Sequence, residues 1–202
     1  MKRIFSIVLA LFLSMDAAFA AAPEDATALA KSIADDLVKN VMQAKISVPQ
    51  KRQMFRNIFL DDADMDTISK FILGPAFKTA TPEQVASFKK TFTENFVLTW
   101  ADRFNTYSGE DIVFTGARQN AKDFYVTSEI VVKQGEKPIA LTWRIRETAK
   151  GLKVVDMVAE GVSMLQNYRK EYAAVLQQNN NDIDTLTKLI AAKNKSLQTV
   201  TK

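Results

Sequence analysis

Apolar positions along the chain first recur at helical spacing, then alternate, then return to helical spacing. From Pro23 to about Ala44, Leu29, Ile33, Leu37, Val41 and Met42 mark one face, with Asp35, Asp36 and Lys39 on the wet side, which predicts a first helix. Val48-Pro49 interrupts it, because the residue before a proline is biased away from helical backbone. A short second helix is expected from Gln50 to Leu60, with Met54, Phe55, Ile58 and Phe59 apolar. A third opens at Asp66, carries Ile68, Phe71, Ile72 and Leu73, and stops at Gly74-Pro75. Thr81-Pro82-Glu83-Gln84 is a strong start signal, with a capping threonine, a proline at the first helical position and a glutamine to close the box. The helix it opens should run to about Tyr107. Its stripe is heavily aromatic: Val85, Phe88, Phe92, Phe96, Trp100, Phe104 and Tyr107. Such a stripe ordinarily fills a core, yet a row of large rings can also frame a cavity.

After Ser108-Gly109 the pattern alternates. Strands are expected over Asp111–Ala117, Phe124–Lys133, Ile139–Arg146 and Leu152–Val158, separated by short turns at Gln134–Pro138 and Lys150-Gly151. Short turns between successive strands imply an antiparallel meander. On the third strand Ile139, Leu141, Trp143 and Ile145 oppose Ala140, Thr142, Arg144 and Arg146, giving one apolar and one polar face. At Val154 to Tyr172 the period switches in mid-run. The β-branched Val154–Val158 is extended in character, Gly161 and Ser163 punctuate it, and from Met164 the apolar residues return to helical spacing. Ser163 with Gln166 reads as a capping box. This helix should reach about Gln178, break at Asn179-Asn180-Asn181, and be followed by a last helix from Asp182. An antiparallel sheet with helices gathered on its apolar face is an α+β domain. The expectation is a four-stranded curved sheet wrapped by about six helices, enclosing an apolar cavity.

The first twenty residues stand apart. Lys2 and Arg3 precede an apolar run of about twelve residues, and Ala18-Phe19-Ala20 fits the small-x-small cleavage rule, so 1–20 reads as a secretory signal and 21–202 as a single domain. That run is shorter than the roughly twenty residues that span a bilayer. Without the signal the balance is 25 basic to 22 acidic residues, or +3, well mixed and with no basic stripe for nucleic acid. There are no cysteines and no histidines. A Ser-His or Cys-His dyad, a His-ligated zinc and the usual general base near neutral pH are therefore all missing.

Asp61 to Asp66 is the densest charge run. Alternating Asp62, Asp64 and Asp66 resemble the start of a calcium loop, but Thr67 stands where a glycine is needed and Leu73 where a glutamate is needed. Carboxylates at a helix N-terminus are the better reading. Asp156, followed by Gly161 and Ser163, reads as a structural hydrogen-bond acceptor, with Arg144 or Arg146 a candidate charge partner for it or for Glu129. Ser163 reads as a cap before a headgroup contact. Arg103, Arg118 and Lys122 could meet a phosphate or simply solvate the surface.

Asp156-Met-Val-Ala-Glu-Gly-Val-Ser-Met164, followed by Arg169 and Tyr172, resembles the most characteristic block of the MlaC/toluene-tolerance family. Leu73-Gly74 ahead of Thr81-Pro-Glu-Gln84, Phe88 and Phe92 agrees with it, as do Trp143-Arg144 and Lys153-Val-Val-Asp156. Two positions depart: Asn179-Asn180-Asn181 stands where glycine is usual, and Trp100 where tyrosine is common. The resemblance implies a periplasmic phospholipid carrier that maintains outer-membrane lipid asymmetry. It implies bound phospholipid as cargo, no cofactor, no metal and no catalytic residue. Implied partners are an MCE-domain protein of an inner-membrane ABC transporter and an outer-membrane lipoprotein–porin complex, with the carrier itself a monomer. The acyl chains are then expected against Leu73, Phe77, Phe92, Phe96, Trp100 and Phe104 from the helices, and Val126, Ile130, Leu141, Trp143, Ile145 and Met157 from the sheet. Val162, Met164 and Leu165 join them where strand becomes helix, with Asp156, Gly161 and Ser163 setting that bend. The competing reading is a small periplasmic enzyme or binding protein of the same cone-shaped fold acting on another apolar ligand, with Glu129 or Asp156 as a carboxylate base. No paired acids support it.

Overall fold

A computed structural model describes residues 21–101, 107–132 and 136–200 of the chain. The expected signal segment and Phe104 lie outside these. Helix α1, Pro23–Leu37, has proline in its first turn, and the Asp25 carboxylate accepts from the Ala22 N–H at 2.9 Å. It does not continue as α-helix to Ala44 but widens into a π-turn over Val38–Met42. Helix α2, Val48–Asp62, begins earlier than expected because Pro49 sits in its first turn, where a missing N–H costs nothing. The Ser47 N–H donates to Gln50 Oε1 at 3.0 Å to close that end. Asp64 caps α3, Met65–Leu73, accepting from the Thr67 N–H at 3.0 Å, so the acidic run does open a helix. Gly74, at φ 55° and ψ −126°, ends α3 in a conformation that only glycine adopts readily, and a 3₁₀ turn follows to Lys78. Thr81 and Gln84 form the reciprocal box at the start of α4, Pro82–Ala101. Tyr107 lies beyond that helix, its hydroxyl donating to the Glu110 carbonyl at 2.9 Å.

Among the described residues the sheet has five strands rather than four. β1 (Asp111–Asn120), β2 (Asp123–Val131), β3 (Ile139–Thr148), β4 (Gly151–Ala159) and β5 (Val162–Ser163) follow one another in space in chain order, all antiparallel. β5 is two residues long, and Glu160 (φ 48°) and Gly161 (φ 77°) turn the chain back onto Ala159. Two residues leave no alternation for a sequence pattern to register. Helices α5 (Met164–Gln178) and α6 (Ile183–Val200) complete the chain, joined by a turn in which Asn180 and Asn181 take left-handed backbone at φ 53° and 59°.

Among the described residues three apolar clusters hold the domain together. The largest joins α3, α4, α5 and α6 through Ile72, Leu73, Phe88, Phe92, Tyr172 and Leu186. The second joins α1 to the inner face of the sheet, with Ala26, Ala30 and Ala34 close to Phe124, Val126, Trp143 and Ile145. A small third, Val41, Phe55, Val97 and Ala101, ties the π-turn and α2 to α4. On the outer face Arg144 and Arg146 both clamp Asp123, at 2.6 and 2.5 Å, instead of the expected Asp156 or Glu129. Burial alone would raise the Asp123 carboxyl, but the hydrogen bonds from Arg146 and Arg144 outweigh it and hold the group below the usual carboxylate range.

Candidate functional site

The second half of α4, the inner face of the sheet, α1, α2 and the start of α5 surround a pocket of about 280 Å³ whose walls are almost wholly apolar carbon. α4 contributes Phe92, Phe96 and Trp100, one ring per helical turn. Opposite them, α2 turns Phe55, Ile58 and Phe59 inward. Phe59 stacks on Phe96 with centroids 4.3 Å apart and planes 15° apart, so the two helices meet ring to ring. Phe55 is the one buried side chain on α2, which makes that helix the most thinly anchored of the helices in the wall.

The sheet supplies Ile112, Ile130, Leu141, Trp143 and Met157. Its inner row follows from the register, Ile130 standing against Ile139, and Trp143 against Val126 and Met157. A bulge between Arg144 and Ile145 on β3 gives β4 one extra residue, and both Val154 and Val155 reach the pocket. Both indole N–H groups in the walls are partnered by hydroxyls. The Trp143 indole N–H donates to the buried Ser128 hydroxyl at 3.0 Å, and the Trp100 indole N–H donates to the Tyr168 hydroxyl at 3.2 Å.

Two carboxylates border the pocket, Asp62 and Asp156. Burial pushes the Asp62 carboxyl above the usual range, against the pull of Lys153. Asp156 is committed to the bend: it accepts from the Ser163 hydroxyl at 2.6 Å and from the Leu165 N–H at 3.0 Å. Ser163 in turn accepts from the Gln166 N–H at 3.0 Å. The cap is one-way rather than the expected box: the Gln166 side chain does not return a bond to the Ser163 N–H, and Ser163 lies in β5, paired with Val158. Glu129 stands exposed on the outer face, away from the pocket.

Of the fifteen side chains expected to line a cavity, nine border this one: Phe92, Phe96, Trp100, Ile130, Leu141, Trp143, Met157, Met164 and Leu165. Leu73 is instead sealed in the helical cluster and Phe77 packs on that cluster's edge. Val126 and Ile145 share the sheet's inner face but sit under α1, whose small alanines leave no gap. Val162 is 52% exposed on β5. Phe104 falls outside the described residues. The walls that sequence reasoning missed are mostly on α1 and α2, namely Ile33, Leu37, Phe55, Ile58 and Phe59, with Ile68 and Tyr168 below them. The signal available was the spacing of Phe55, Ile58 and Phe59, a helical stripe with no assigned neighbour.

A sequence profile described as "MlaC protein" matches residues 28–192. The chain belongs to the MlaC family. Among relatives, a Haemophilus influenzae protein described as "Intermembrane phospholipid transport system binding protein MlaC" is 28% identical over 166 residues, covering 78% of this chain and 77% of that one. "Toluene tolerance protein ttg2D" of Pseudomonas putida is 24% identical over 152 residues, 74% of this chain and 70% of its own. Among solved structures, the phospholipid-binding protein from Ralstonia solanacearum, determined in complex with a phospholipid, superposes with a TM-score of 0.76 at 21% identity, over 85% of this chain and 97% of that one. This MlaC-family chain therefore has the fold of that protein. Among its described residues no helix is long and apolar enough to cross a membrane, and no group of three or more acidic side chains is placed to hold a metal ion.

Proposed function

We propose that this protein is a periplasmic phospholipid carrier, a lipid-binding transport protein rather than an enzyme. The acyl chains enter the pocket between α2, α4 and the sheet, and the headgroup stays in water. The observation that carries the reading is the pocket wall, apolar almost throughout with its indole and hydroxyl groups partnered. Each acyl CH₂ removed from water contributes about 0.8 kcal/mol, so two chains with about thirty such groups would cost more than roughly 20 kcal/mol if left wet. A carrier in an aqueous compartment must therefore enclose nearly the whole tail. A bilayer offers the same transfer energy, which keeps extraction close to neutral.

At about 280 Å³ the pocket lies just below the roughly 300–1,000 Å³ typical of ligand sites, so a full phospholipid requires the walls to part. The thinly anchored α2 is the helix most free to do so. The segment 1–20 is the export signal, and cargo passes between an MCE-domain protein of an inner-membrane ABC transporter and an outer-membrane lipoprotein–porin complex, maintaining outer-membrane lipid asymmetry. Native purification, solvent extraction and mass spectrometry test the reading. Stoichiometric phospholipid is expected; a protein that comes out empty and also takes up no lipid from vesicles overturns it.

A further inference from the structure

The Arg169 guanidinium is held in place and, among the described residues, has no ion pair or hydrogen bond. Arg169, half-buried on α5, lies with its Cζ 4.7 Å from the centroid of the Phe71 ring on α3. Behind it is Gly74: a Cβ added there would come within 3.3 Å of Arg169 Nη2, so the missing side chain makes the room the guanidinium occupies. Lys70, on the same short segment, holds its Nζ 5.9 Å from the centroid of Phe77. Among the described residues neither cation has an ion pair or a hydrogen bond. Two lysines on the flanking helices α4 and α6 differ. Lys89 pairs with Asp66 of α3 at 2.6 Å, and Lys193 pairs with Glu171 of α5 at 3.2 Å. Arg118 also lies over a ring, that of Tyr125, but it is exposed and no glycine backs it.

We propose that the Gly74–Phe71–Arg169 cradle, with Lys70 beside it, is a docking point for a carboxylate on an acidic protein surface. A guanidinium held over a ring and making no hydrogen bond keeps its N–H donors available, and its planar fork matches a carboxylate bidentately. Holding it half out of water beforehand reduces the ordering cost when the partner arrives. An anionic membrane fits less well. Attraction to a lipid surface sums over a cluster of about four to eight basic residues, and here Lys89 of α4 and Lys193 of α6 already carry acidic partners on α3 and α5, leaving Lys70, Arg169 and the exposed Lys170. The site is separate from the pocket, since neither Phe71, Gly74 nor Arg169 borders it, and it does not depend on what the pocket holds.

The test is a nuclear magnetic resonance titration of the purified protein, following the Arg169 Nε–H. The probes are a peptide of alternating glutamate and glycine, inorganic phosphate, and vesicles of phosphatidylglycerol. The peptide is expected to move the resonance saturably. Arg169→Lys should weaken that binding about tenfold, because an ammonium cannot make the bidentate contact, while the melting temperature is unchanged. The wild-type titration reads the site without any substitution, and Phe71→Leu, which keeps the cation and removes the platform, gives a second reading. A peptide that produces no saturable shift overturns the proposal. So does phosphate binding as tightly as the peptide, or Arg169-dependent binding to the vesicles in place of the peptide.

Discussion

The two halves of α4 carry the same pattern and meet different surroundings. Phe88, Phe92, Phe96 and Trp100 follow at four-residue steps along one face. Phe88 and Phe92 are 0% and 2% exposed, and Tyr172 of α5 stands edge-on to both, at 6.2 and 6.3 Å. Phe96 and Trp100 are half-buried and border the pocket, with Phe92 at the junction of the two regions. What differs is the opposing surface. The first half faces α5 and α6, whose large side chains interdigitate with the rings. The second faces α2 and the sheet, whose side chains stop short. Helical spacing tells which way a ring points; whether it fills a core or frames a space is decided by elements far away in the chain.

The comparison breaks most visibly if the halves respond alike to truncation. Phe88→Ala should cost about 3–5 kcal/mol of stability, the usual penalty for emptying a filled aromatic site. The measurement is denaturant unfolding, and lipid held per folded molecule should be unchanged. Phe96→Ala is expected to cost about 2 kcal/mol, because part of that ring already faces open space and less packing is lost. Its larger effect should fall on cargo, since removing the Phe59–Phe96 stack loosens α2 from α4. Faster lipid loss to acceptor vesicles is the readout. Equal destabilisation by the two substitutions, with equal lipid retention, would show that the second half is core after all.

The sequence was most legible where a local signal is sufficient. The Thr81–Gln84 box, the acidic cap before α3, and the left-handed asparagines between α5 and α6 each fix backbone within a few residues. Alternation gave four strands and their inner faces. It could not tell Val126 and Ile145 from Ile130 and Leu141 on those same faces, because α1 covers only one end of the sheet. Nor could it pair Arg144 and Arg146 with Asp123, since strand register sets that contact. The π-turn after α1 and the inward stripe of α2 depend on tertiary packing in the same way.

The smallest expected effect tests the element that serves both halves. α5 gives Leu165 and Tyr168 to the pocket and Tyr172 to the solid core, and its start is fixed by the hydrogen bonds among Asp156, Ser163, Leu165 and Gln166. Ser163→Ala removes the hydroxyl that accepts from the Gln166 N–H and donates to Asp156. The loss should be about 1 kcal/mol, as for other helix caps. The Asp156 carboxylate keeps its bond from the Leu165 N–H, so the bend is weakened without being released. If the helix start positions α5 as a rigid whole, the change should lower stability slightly and leave lipid retention as it was. A loss of lipid without a loss of stability would mean that the Ser163 hydroxyl serves the cargo directly, and the bend would then belong to the pocket alone.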